Sequence, residues 1–456
     1  MTRRDLLLAA LRNQSTPRPA WLPFVGCHGG KLIGKSAADY LRSPDLIVQG
    51  LLEAFRLYEP DGLPVMFDLQ IEAEVLGCAL HWADEVPPSV VTHPLAGGDL
   101  SQFPTLRADK GRLPVVLEAM NRMRREVGKE IALYGLICGP FTLAAHLMGS
   151  DLFLAMFDRQ EFVCEVMQFC ADIGIQMAGH YLDHGADVIA VVDPMTSQIS
   201  ARHFQTFVAP PLNRVFDSIR ARGSLSSLFV CGDVTRNLEV MCQTRADNIS
   251  VDEQIDLRQL RELCGRENKS FGGNLRLTAV LLLGDEDDAR TETLAILDKA
   301  GSQGFVLAPG CDLPYHVPPK NLQAVAQMVH DPYQRDVAKT TLKSKADDAF
   351  ADIQLPDYEA RHCIVVDVIT LDSTSCAPCQ YMMEAVSRAS QNTPVRVFVN
   401  EHKIKVREGL GMMMRLGVKS LPTICIDGEI RFSSFIPDQN TLVAAIEEAA
   451  RKKMSS

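Results

Sequence analysis

No stretch of the 456-residue chain is apolar for long enough to span a bilayer, which argues against a membrane-crossing helix. Positive charge is in short supply. The 46 Lys and Arg stand against 57 Asp and Glu, for a formal net charge of −11. That balance argues against a nucleic-acid partner and against an anionic membrane surface. The chain has no internal repeat and no low-complexity segment. Its start is not expected to act as a secretory leader. Arg3-Arg4 precedes an apolar stretch that ends by Leu11, and Arg12-Asn13-Gln14 follows without a cleavage site. Those first residues read as an amphipathic helix, and a cytoplasmic location is expected. A disulfide-stapled framework is missing too. The 13 cysteines are odd in number and scattered through apolar contexts.

What is present is the composition of a soluble globular protein, 46% hydrophobic and 23% charged, on a chain long enough for two domains. Through most of the chain, short apolar runs alternate with helical patterns. Strands are expected near Trp21–Gly26, Leu63–Asp68, Ile131–Cys138, Val188–Asp193, Ser227–Asp233, Asn248–Asp252, Ser270–Asn274 and Phe305–Cys311. Helices are expected over Pro44–Tyr58, Leu113–Val127, Arg159–His184 and His203–Arg222. The first of these starts with Ser43 as N-cap and Pro44 at the first helical position. Eight such units predict a (β/α)8 barrel within residues 1–337, with an open doubly wound sheet as the alternative.

In such a barrel the carboxyl ends of the strands line the active site. Those ends carry Cys27-His28, Asp68, Gly139-Pro140, Asp193, Cys231-Gly232-Asp233, Asp252-Glu253, Asn274 and Cys311-Asp312. Loop starts are polar in any fold, and acids there often cap helices; Asp252 and Asp312 are read that way. Cys231 and Cys311 are not capping chemistry, and both are expected in one mouth together with Asp68. Asp193, Asn274 and Glu74 are the expected substrate contacts. Cys78, Cys138, Cys164, Cys170, Cys242, Cys264, Cys363 and Cys425 sit among apolar residues and read as small buried hydrophobes.

Residues 338–360 are rich in Lys, Asp and Ala and read as a linker to a second domain at 361–456. There a buried strand, His362–Thr370, leads into Ser375-Cys376-Ala377-Pro378-Cys379 and a helix over Gln380–Ser390. A strand Val395–Asn400, a helix near Val406–Leu416, the stretch Leu421–Gly428 and a closing helix Thr441–Lys452 follow. A C-x-x-C after a strand and at a helix start suits a redox dithiol, because the helix amino terminus favours the first thiolate. This part resembles the thioredoxin-like family, and Ser420-Leu421-Pro422-Thr423 matches that family's cis-proline loop. The resemblance assigns Cys376 and Cys379 as the catalytic pair and yields a thioredoxin-like α/β domain. The tryptophan and glycine of thioredoxin itself are missing from the motif.

The first domain resembles the uroporphyrinogen decarboxylase superfamily. The residues that carry the likeness are Asp61–Asp68, Glu72–Gly77, Gly139–Ala144, Gly185-Ala186-Asp187, Asp193-Pro194, Cys231-Gly232-Asp233 and Pro309-Gly310-Cys311. One branch decarboxylates tetrapyrrole carboxylates through an arginine-rich early loop and an aspartate. Asp68 matches that aspartate, but Phe24–Lys31 contains no arginine. The other branch comprises zinc-dependent methyltransferases that move a methyl group between a corrinoid protein and a thiol. Its metal ligands are a His-x-Cys pair and a distant cysteine. Cys231 and Cys311 fit the two cysteines, and Phe229 stands at the histidine position. The third ligand expected is His28, ahead of Cys27, Glu74 and Asp68. The resemblance thus implies zinc, a corrinoid carried on a separate protein, and a small thiol or methylated substrate. A dithiol reductant is a further expected partner. A carboxy-lyase and a non-catalytic redox-sensing or corrinoid-binding accessory protein are the alternatives.

Overall fold

A computed structural model describes residues 1–100, 103, 105–341, 350, 352–359, 363–374 and 376–455. His362, Ser375 and residues 342–349, 351 and 360 of the expected linker therefore lie outside the described residues. The chain divides into two compact units, Met1–Leu342 and Lys343–Ser456.

The first unit has the expected (β/α)8 architecture. Its strands are β1 (Ala20–Trp21), β2 (Gly62–Pro64), β3 (Ala132–Cys138), β4 (Val188–Val192), β5 (Leu225–Val230), β6 (Asn248–Val251), β7 (Ser270–Leu275) and β8 (Phe305–Pro309). All neighbours pair in parallel, in the order β1-β8-β7-β6-β5-β4-β3-β2. The two end strands meet through Asp61. Its N–H donates to the Trp21 carbonyl at 2.8 Å, and its carboxylate accepts the Trp21 N–H at 2.7 Å. Strands β3, β4 and β8 are buried throughout, as their continuous apolar runs require when helices cover the sheet.

Helix Pro44–Tyr58 shows how the outer layer forms. Ser43 Oγ accepts the Leu46 N–H, Pro44 fixes the first turn, and Ile47, Val48, Leu51, Ala54 and Tyr58 fall on one buried face. Gly50 on this helix lets the backbone of the short helix His28–Leu32 approach, since a Cβ there would lie 2.5 Å from the Gly29 carbonyl oxygen. That approach positions His28. The opening helix, Arg3–Leu11, begins with a capping box between Thr2 and Asp5. Among the described residues, no single helix is long and apolar enough to cross a membrane.

The structure departs from the sequence reading in several places. β1, β2, β5 and β8 stop short of the residues expected at their carboxyl ends. A two-stranded antiparallel ribbon, Leu80–His81 with Ser89–Val90, follows β2. Cys164, expected buried, is exposed. Helix Pro332–Thr341 continues through residue 338, where the linker was expected to start.

The second unit is a four-stranded sheet of β9 (Ile364–Thr370), β10 (Val397–Lys403), β11 (Thr423–Ile426) and β12 (Glu429–Ser433), in the order β10-β9-β11-β12. Strand β9 pairs in parallel with β10 and antiparallel with β11. Helices Ala377–Asn392 and Gln439–Ser455 contribute Met382, Val386, Leu442 and Ile446 to its core. Linker residues dock on this unit. The Tyr358 hydroxyl donates to Asp367 at 2.7 Å, and Asp352 pairs with Arg407 at 2.8 Å.

Candidate active sites at the barrel mouth and the helix start

The carboxyl end of β5 leads directly into Cys231, and β8 leads into Gly310-Cys311. The two cysteines, 80 residues apart in sequence, are joined as a disulfide with Cα atoms 5.8 Å apart. Both are partly buried and pack against the apolar interior of the barrel. Three rings form the floor there. Phe229 stacks on Phe24 with centroids 4.8 Å apart, and Phe67 meets Phe229 edge-on at 6.1 Å. Around the pair, Asp252 accepts the Gly232 N–H at 3.0 Å, and Glu253 accepts the Leu277 N–H. Burial raises both of these adjacent carboxyls; charge repulsion from Asp233 adds to it at Asp252, and repulsion from Asp252 adds to it at Glu253.

A second polar group lies beyond β2. Arg112 donates to Asp68 and, at 2.7 Å, to Glu74; Asp68 also accepts the Gln70 N–H at 2.8 Å. The Arg112 guanidinium lies over the Trp82 ring, 4.7 Å from its centroid. Its Nη2 is buried without a hydrogen-bond partner. Nearby Glu72 accepts the Cys138 N–H at 2.8 Å, and burial pushes its carboxyl up to about 7. Sequence reasoning missed Arg112, which opens a helix 44 positions from Asp68, with no local spacing to connect the two.

Other expected site residues are used within the fold. Asp193 is fully buried and accepts hydrogen bonds from Phe141 N–H, Thr142 N–H and Thr142 Oγ1 at 3.2, 2.8 and 2.6 Å. It caps the helix Pro140–Met148, and burial pushes it up to about 6. Gly139 must lack a side chain because a Cβ would overlap this carboxylate. Asn274 donates to the carbonyls of Asp252 and Ile255 at 3.0 and 2.8 Å, fixing the loop after β6. In this arrangement the Asp193 carboxylate and the Asn274 amide N–H groups hold loops and a helix start in place.

His28 is likewise not brought to the cysteine pair. Its Nδ1 lies 3.0 Å from the Tyr315 carbonyl oxygen, which can only accept, so Nδ1 carries the proton. Nε2, at 2.7 Å, then accepts from the Tyr58 hydroxyl. Burial pushes the ring down to about 4, so it stays neutral. With both nitrogens engaged, no lone pair is left for a metal.

A zinc centre of this chemistry needs three protein ligands and one open position. Cys231 and Cys311 supply two sulfurs that are bonded to each other. Phe229 fills the third place with a ring, and Asp68 and Glu74 are held by Arg112. Among the described residues, no group of three or more His, Cys, Asp or Glu could hold a metal ion. The residues present do not fit zinc, contrary to the sequence expectation of a Cys231, Cys311 and His28 site.

In the second unit, Cys376 is the N-cap of helix Ala377–Asn392 and its sulfur accepts the Cys379 N–H at 3.4 Å. The two cysteines are joined as a disulfide with Cα atoms 5.2 Å apart; Cys376 is partly exposed and Cys379 is fully buried. The Leu421–Pro422 peptide is cis. This matches the expectation from the sequence of that loop.

An eight-stranded α/β barrel with reactive groups at its strand ends, followed by a dithiol unit of thioredoxin type, is the class that fold and sites define. Over residues 2–332 the chain belongs to the uroporphyrinogen decarboxylase (URO-D) family, and residues 365–447 match a thioredoxin domain. It is 30% identical over 271 residues to a methylcobamide:CoM methyltransferase of Methanosarcina acetivorans, covering 59% of this chain and 78% of the relative. It is 26% identical over 323 residues to a uroporphyrinogen decarboxylase of Prochlorococcus marinus, covering 67% of this chain and 90% of the relative. A solved methyltransferase structure from Methanosarcina mazei superimposes with a TM-score of 0.68 at 25% identity, covering 73% of this chain and 99% of that one.

Proposed function

We propose that the barrel is a methyl-transfer enzyme. It moves a methyl group between a corrinoid carried by a separate protein and a small substrate: a thiol takes the methyl group from the methylated corrinoid, or a methylated compound gives its methyl group to the reduced, demethylated corrinoid. The observation that carries this reading is the meeting of Cys231 and Cys311 at the ends of β5 and β8, where this fold places its chemistry. The likeness to methylcobamide:CoM methyltransferases supports the reaction class. A methyl group on a corrinoid is an electrophile, and a thiolate is the nucleophile that takes it.

The chain's own contribution is positional. Phe24, Phe67 and Phe229 make a dry floor at the cysteines, which favours a charged nucleophile giving up its charge. Asp68, locked by Arg112, is the catalytic carboxylate of this reading and lies in the polar wall after β2. Zinc has no part in the steps described, because no third ligand stands beside the two cysteines among the described residues. A cytoplasmic location fits a chemistry that needs reduced thiols.

The test is anaerobic. Reduced protein is mixed with methylcobalamin and 2-mercaptoethanesulfonate, and the methyl thioether is followed by mass spectrometry. Turnover above the uncatalysed rate, reduced at least about tenfold in Cys231→Ser and Cys311→Ser, is expected; tenfold corresponds to about 1.4 kcal/mol of barrier. No thioether, with free methylcobalamin or with a methylated corrinoid protein, would sink the proposal.

A further inference from the structure

We propose that Cys231 and Cys311 form a reversible dithiol–disulfide couple in place of a metal site, and that the Cys376–Cys379 dithiol of the same chain is its reductant. This rests on the reading of the barrel mouth as the reactive site, but not on methyl transfer itself.

Each unit supplies its half of the exchange by itself. In the barrel, the two sulfurs are bonded to each other and belong to partly exposed residues, and among the described residues no third ligand commits them to an ion. A structural staple is the plain alternative. The other nine cysteines form no disulfide, including Cys242 and Cys264, whose sulfurs lie 3.7 Å apart in the core. A chain that leaves such a buried pair unjoined is not organised around disulfide staples. In a reducing compartment an accessible disulfide is characteristically catalytic or redox-sensing. In the second unit, the cysteine pair has the asymmetry that exchange needs. Cys376 is partly exposed at a helix start, where a thiolate is favoured, and Cys379 is buried behind it.

The step balances within the chain. The Cys376 thiolate attacks one sulfur of the Cys231–Cys311 bond. That bond breaks, and one barrel cysteine leaves as a thiolate and takes a proton. The Cys379 thiolate then attacks Cys376 in the mixed disulfide and releases the second barrel cysteine, which is protonated in turn. Two electrons and two protons have moved, the barrel dithiol is reduced, and Cys376–Cys379 is oxidised. An external dithiol resets the latter by the same chemistry. Tethering both couples in one polypeptide raises their effective concentration, to the order of millimolar for a short connection.

The experiment uses the full chain without corrinoid or methyl donor, so its failure and the failure of methyl transfer are separable. Cys379→Ser protein with the barrel pair oxidised is acid-quenched and mapped by non-reducing peptide mass spectrometry. A link from Cys376 to Cys231 or Cys311 is expected, and it should vanish in Cys376→Ser/Cys379→Ser. In parallel, reduction of the Cys231–Cys311 pair by limiting dithiothreitol is followed by alkylation. It should be at least about tenfold slower in Cys376→Ser than in the parent, as expected when a favoured thiolate is removed from the relay. The absence of the link in both Cys379→Ser and Cys379→Ala, together with unchanged reduction in Cys376→Ser, overturns the proposal.

Discussion

Phe229 stacks on Phe24 with ring centroids 4.8 Å apart, at the position where the resemblance to the methyltransferase branch implies a metal-binding histidine. The aromatic contact takes the place of a coordination bond, and the two cysteines beside it bond to each other.

The substitution Phe229→His follows from this. It adds the nitrogen that the donor set lacks, so reduced protein purified anaerobically should rise from almost no bound zinc to about one per chain. Loss of the buried ring should cost on the order of 3 kcal/mol of unfolding free energy. Metal analysis and urea unfolding check the two halves. A parent protein that already holds one zinc would contradict the account.

Arg112 sits between Asp68 and Glu74 with 5% of its side chain exposed. Replacing it with Met strands a buried carboxylate, which typically costs about 3–5 kcal/mol. Urea unfolding of Arg112→Met measures this. A loss below about 0.5 kcal/mol, the size of an ordinary surface change, would show that the cluster is not a buried ion pair.

Protonation of His28 should set part of the acid sensitivity. Its folded value of about 4 lies below the ordinary 6.5, so the unfolded chain binds the proton first. The contribution is intact above pH 6.5 and is lost as pH falls from 6.5 to 4, by about 1.4 kcal/mol per unit at most. His28→Gln removes this titration. The stability deficit of the variant relative to the parent should therefore shrink as pH falls through that window. A deficit independent of pH, from urea unfolding at pH 7, 6 and 5, would refute the neutral buried ring.

Incubation with uroporphyrinogen should release no CO2 above background. Phe24–Lys31 contains no arginine to receive propionates, and Asp68 is already paired with Arg112. Measurable turnover would favour the carboxy-lyase alternative over methyl transfer.

The barrel was legible because its strands are short apolar runs ended by turn residues, and because Ser43-Pro44 marks a helix start without ambiguity. Convergence of Cys231 and Cys311 was legible because the fold sends every strand's carboxyl end to one mouth. The roles of Asp193, Asn274 and His28 were not. A strand-end polar group looks the same in sequence whether it faces a ligand or caps a helix, and only the partners at 2.6–3.2 Å distinguish the two. Arg112 was invisible because its pairing with Asp68 is made by tertiary structure alone. Strand β12 was missed because Glu429 and Arg431 break up its apolar pattern at a half-exposed edge.

The most direct measurement is non-reducing peptide mapping with zinc determination on one anaerobically purified sample, before and after mild oxidation. The account expects little zinc throughout and, after oxidation, peptides bearing Cys231 and Cys311 joined to each other. Two cysteines that stay freely alkylatable after oxidation, or a stoichiometric zinc that protects both, would contradict it.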